Sequence, residues 1–125
     1  MNSPTLIKSY AAGAAIRARR FAVPGATDAA MIEATGPATL IMGVFEKLDG
    51  AQGDIVDVVH SGMTEIVLGG TVTRGQPATS DANGAAVTAE PAAGVNARIG
   101  GFFMASGVAG DIVPLLVSPG VMQGA

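Results

Sequence analysis

The single histidine of this chain, His60, is followed by Ser61 and stands three residues after Asp57, so a base, a nucleophile and an orienting carboxylate fall within the run DVVHSG. Those residue types suit acyl transfer only if the three side chains converge on one point. They lie in IVDVVHSGMTEIVL, which is rich in β-branched residues, and along a strand neighbouring side chains take opposite faces. Ser61 is then turned away from His60, and so is Asp57. A small hydrolase using Asp57, His60 and Ser61 is therefore the weakest functional reading, and a strand histidine on a surface or interface is the ordinary one.

Other chemistries have less to work with. There is no cysteine, which removes disulfides, thiolate catalysis and cysteine metal sites. The carboxylates are scattered, and DANG at 81 to 84 has only the opening of a calcium loop, lacking the later ligands and the terminal Glu, so a turn explains it. Neither GxGxxG nor GxxxxGK[ST] occurs, so no nucleotide cofactor is expected, and no metal or other cofactor either. Arg17, Arg19 and Arg20 form the one basic cluster, with Lys8 ahead of it. Two roles suit these cations: a solvated strand face, or a contact with an acidic partner surface.

The scaffold for these residues reads as all-β. The chain has 125 residues, room for one domain, with 49% hydrophobic residues but only 4% aromatic, so the core is built from small and branched side chains. Eighteen glycines and seven prolines are spread along it, as many short strands and turns require. A net charge of −3 argues against nucleic acid as the main partner. No apolar run approaches a membrane span, and in the first twenty residues the charges follow a short apolar stretch, unlike a secretory signal. Strand-like runs cover 16–23, 38–46, 84–90, 97–105 and 111–118, and AAMIEAT at 29–35 fits either a strand or a helical turn. The stretch IVDVVHSGMTEIVL reads as two consecutive strands broken at Gly62. Residues 69–87 read as loop and turn, with Pro77 arguing against a central strand there. Residues 1–15, with weak periodicity, read as a flexible N-terminal arm ahead of a single domain over 16–125.

One pattern occurs twice. GxFx4GxxGDIV runs from Gly43 to Val56 and again from Gly100 to Val113. It describes a strand ending at a phenylalanine, a glycine-rich reversal needing positive φ, and a returning strand, with Asp54 and Asp111 bonding nearby backbone amides. A hairpin used twice suggests a small barrel or sandwich with rough internal symmetry.

The succession LIKSYAAGAAIRARRFAV, GDIVDVVHSG, GGTVTRGQPATSDANGAAV and GDIVPLLVSPG resembles the capsid cement or head decoration proteins of tailed bacteriophages, over nearly the whole chain. The resemblance implies a small β-rich structural protein, not an enzyme, made in the bacterial cytoplasm and carried on the outer surface of the expanded capsid. There it would bridge major capsid protein subunits, as a homotrimer or, alternatively, a dimer, with Lys8, Arg17, Arg19 and Arg20 as candidate coat-protein contacts. Another phage accessory role, in a tail or spike, is the alternative within the same class.

Overall fold

A computed structural model describes residues 3 to 125 as one all-β domain. Its strands, in chain order, are β1 (Ser3–Ala12), β2 (Phe21–Pro24), β3 (Ala30–Glu33), β4 (Gly43–Phe45), β5 (Ile55–Val67), β6 (Pro77–Ser80), β7 (Ala86–Thr88), β8 (Asn96–Phe103) and β9 (Ile112–Gln123). They form one sheet in the order β1-β3-β2-β4-β5-β9-β8-β6-β7, and β1 also pairs with β5.

That extra pairing closes β1, β3, β2, β4 and β5 into a ring. On the other side β5, β9, β8, β6 and β7 form a second ring, closed by a parallel bridge from Leu68, just past β5, to Ala86 in β7. The molecule is thus two fused five-stranded barrels that share β5.

The two barrels are copies of one design. Ile7↔Val59, Lys8↔Val58, Ser9↔Asp57, Tyr10↔Val56 and Ala11↔Ile55 recur as Met63↔Leu116, Thr64↔Leu115, Glu65↔Pro114, Ile66↔Val113 and Val67↔Ile112. The hairpin corners repeat in the same detail. Asp54 Oδ2 accepts from Ala51 N at 2.9 Å, and Asp111 Oδ2 from Val108 N at 3.0 Å. Gly53 and Gly110 both have φ of 89°. Their amides donate to the Ala12 and Leu68 carbonyls, at 2.8 and 2.9 Å. The doubled sequence pattern therefore marks a structural repeat far longer than itself, although an irregularity in β8 moves its strand half by one residue, so that Gly101 and Phe103, not Gly100 and Phe102, answer to Gly43 and Phe45.

Burial follows the repeat. Ala12, Ile16, Ala22, Met31, Phe45, Val56 and Val58 fill the first barrel, and their counterparts Leu68, Val72, Ala78, Ala86, Phe103, Val113 and Leu115 belong to the core of the second. The alternation of strands explains the selection: Val44 and Phe45 are adjacent, and only Phe45 points inward, while Val44 joins the larger cluster between the barrels.

Several sequence expectations are corrected. The leading segment is strand β1 from Ser3 to Ala12, antiparallel to β5, rather than a free arm; Met1 and Asn2 lie outside the described residues. From Ser3 to Ser9 nearly every side chain is exposed, so no alternation advertised a strand. AAMIEAT, open between strand and helical turn, is the strand β3, paired on both sides with Met31 inside the first barrel. β5 is one strand, not two. Gly62, at φ 95°, stays in register with Val117 of β9 while β1 shifts register beside it, so the irregularity is a local bulge. Pro77 opens β6, which is paired with both β7 and β8. As the first residue of the strand it uses its carbonyl, which accepts from Ala89 N at 2.9 Å, and needs no N–H.

Candidate functional site

The three residues that sequence spacing put closest to catalysis are held by three different partners. Ser9 Oγ donates to Asp57 Oδ1 at 2.7 Å, across the β1–β5 ladder. The Ser61 hydroxyl lies 3.1 Å from that of Thr5. His60 bridges β5 to two other segments: Nδ1 is 2.8 Å from the Met42 carbonyl and Nε2 is 2.7 Å from the Tyr10 hydroxyl. A carbonyl only accepts, so Nδ1 carries a proton and, in the neutral ring, Nε2 accepts from Tyr10. The imidazole also meets the Tyr10 ring edge-on at a centroid distance of 5.6 Å. This is a structural clamp between β1 and β5, and Asp57 and Ser61 take no part in it.

The four candidate contact cations separate into two places. Lys8 is on β1, its ammonium 5.3 Å from the Tyr10 ring centroid, and its side chain is otherwise exposed. The three arginines lie in the turn before β2. Arg17 makes a two-point contact with Glu33 of β3, Nε at 3.0 Å and Nη2 at 2.8 Å, and its backbone N–H donates to the same carboxylate at 2.6 Å. Arg17 and Arg20 both donate to the Asn83 carbonyl, at 3.1 and 3.0 Å, which ties the first barrel to the β6–β7 turn of the second. Arg19 approaches Glu65 at 3.6 Å and has φ of 59°, while its repeat counterpart in the second barrel is Gly75, with φ of 91°. The cluster that looked like a docking patch is engaged inside the fold, although Arg17 keeps half of its side chain exposed.

Sequence spacing gave no sign of the Arg17–Glu33 pair, because β2 and β3 bring together residues from separate runs. Hydrogen bonding to Glu33 raises the Arg17 guanidinium above its ordinary value. Partial burial alone would raise the Glu33 carboxyl; the bonds from the Arg17 side chain and backbone, with its charge, outweigh that and hold it below the usual carboxylate range. A lowered folded-state value means stability that is complete above the ordinary carboxylate value and is lost as pH falls through the depressed one. Glu33→Gln is therefore expected to destabilise the protein at neutral pH and to converge with wild type in strong acid. Thermal unfolding across an acid series checks it; a constant difference at every pH contradicts it.

Fold and surface together define a twin-barrel β module, cross-linked by side-chain clamps, in which the only histidine bridges Tyr10 and the Met42 carbonyl. No protein-family model matches the chain, and no curated protein matches it. Among solved structures it is similar to the head fiber gp8.5 N base of bacteriophage phi29, with a TM-score of 0.69 over 90% of this chain and 93% of that one. The identity is 18%, so the likeness is one of fold.

Proposed function

We propose that the protein is a structural component of a tailed-phage virion, held on the outer surface of the expanded head, where it bridges major capsid protein subunits as a homotrimer. The observation that carries this reading is the fold shared, over nine-tenths of both chains, with a phage head fiber base. Cement acts by binding the mature lattice in preference to the immature or ruptured one, so many modest contacts stabilise the shell by mass action.

β1 supplies a contact edge. β3 pairs with it only at Ala11 and Ala12, so among the described residues the edge from Ser3 to Ser9 opposite β5 carries no partner strand. Such an edge accepts a strand from a coat subunit. Lys8 projects from the same segment and suits an acidic neighbour, whereas the arginines serve docking only alongside their internal bonds.

Co-sedimentation with expanded, undecorated heads of the cognate coat protein is the direct test. Saturable binding at a simple ratio to coat subunits is expected, and a folded protein that fails to bind would favour a tail or spike role. Lys8→Ser is expected to weaken head binding by about two- to fivefold at low salt and less at high salt. Equal loss at both salts would count against an electrostatic role.

A further inference from the structure

The internal repeat assigns a use to an exposed face. On the outside of the first barrel, Val59, Val44 and Phe21 form a row across β5, β4 and β2. All three are fully buried, because the second barrel's unit lies over them. The fit is close: a Cβ at Gly100 in β8 would overlap the Phe21 ring, so glycine is needed there. The same row exists on the second barrel. In register it reads Leu116, Phe102 and Pro77, extended by Met63 on β5. Here no further unit among the described residues lies over it: Leu116 and Phe102 are each 38% exposed, and Met63 and Pro77 are half-buried.

In repeat architectures the terminal unit ordinarily presents a polar outer face that ends the series. This terminal unit instead keeps apolar residues at the positions its twin uses for packing. We propose that the row Met63, Leu116, Phe102 and Pro77 is a docking face for a second copy of this chain. The occupant follows from the row's twin, which is sealed by a module of this same fold, over β-sheet of the same register. A contact of this kind joins unlike surfaces of successive copies and closes into a ring when the rotation permits. The inference rests on the self-association part of the reading above and is independent of capsid binding.

The test is sedimentation equilibrium of the intact protein over a concentration series. Wild type is expected to associate, and Phe102→Glu with Leu116→Glu to raise the dissociation constant roughly tenfold or more with the far-ultraviolet circular dichroism unchanged. Leu48→Glu, at a hairpin position 81% exposed, is expected to leave association intact. Because the chain has no cysteine, Phe102→Cys introduces its sole thiol, and the maleimide reaction of that thiol is expected to slow as protein concentration rises. That second readout holds even if the charged variant folds poorly. Wild type that stays monomeric at its highest soluble concentration sinks both the self-association reading and this face. An oligomer undisturbed by the charged pair, with thiol reactivity independent of concentration, overturns this face alone. Loss of head binding by an intact oligomer bears on the capsid role and not on this assignment.

Discussion

Phe103→Ala is expected to cost about 4 kcal/mol of stability and Phe45→Ala a similar amount, each within the range for emptying a fully buried aromatic position. Both rings are 0% exposed, Phe45 in the cluster that fills the first barrel and Phe103 in the larger cluster that includes the core of the second. Beside Phe45 the first-barrel set has Ala12 where the second has Leu68, but Met31 where the second has Ala86. The volumes trade in both directions, so the two losses are expected to be similar. Against a total stability of about 5–15 kcal/mol, either change brings the protein near its limit. The shared strand makes a sharper prediction. Tyr10 is the only tyrosine, there is no tryptophan, and it packs against the first barrel, so intrinsic fluorescence reports that barrel while far-ultraviolet circular dichroism reports the whole sheet. In urea both signals are expected to change in one coincident transition for wild type and for both variants. Phe103→Ala unfolding by circular dichroism ahead of Tyr10 fluorescence would mean that the barrels come apart separately.

Gly62→Ala is expected to cost about 2–4 kcal/mol, and to do so mostly by releasing one end of β1. A non-glycine residue at this φ of 95° is disfavoured by about 1–2 kcal/mol before any contact is counted. Its Cβ would also lie 2.6 Å from both the Ser3 carbonyl oxygen and the Thr5 amide nitrogen, closer than carbon tolerates. One strand must yield. β5 is fixed on its other side by β9 through Val117, whereas β1 beyond Leu6 is exposed and singly paired. Native-state hydrogen exchange is expected to show faster exchange for β1 amides near Thr5 and Leu6, with β5 and β9 amides protected as before. Uniform loss of protection across β5 and β9 would show that the strain enters the shared strand instead. The same variant then serves as a probe of head binding by the β1 edge.

Much of this architecture was legible in the residues, and what was hidden was hidden for identifiable reasons. The repeated glycines and aspartates of the two hairpins were readable because a positive φ and an aspartate-capped turn admit few residue types. The rest of the repeat was not, because interior positions ask only for apolar volume: Ala12 answers to Leu68, Ile16 to Val72, and Met31 to Ala86. β1 escaped notice since alternation appears only where one face is buried, and most of β1 buries neither. The basic cluster was visible as composition, but its partner Glu33 arrives through the β2–β3 ladder. His60 was rightly separated from Ser61 by strand geometry, and its actual partner, Tyr10, lay fifty residues away in a segment not read as structure.

The shared strand also bears on how such a molecule arises. Neither half of the polypeptide is a finished module: a chain that stopped after β4 would hold four strands of a five-strand ring and lack the one that closes it. Short ancestral chains of that kind would have closed their rings only by strand exchange with a neighbour, which is the arrangement of a domain-swapped assembly. Duplication and fusion in this register would convert that exchange between chains into a covalent one, with β5 as the swapped element made permanent. In such a molecule the second unit would keep, at Leu116 and Phe102, the positions that its twin uses for packing.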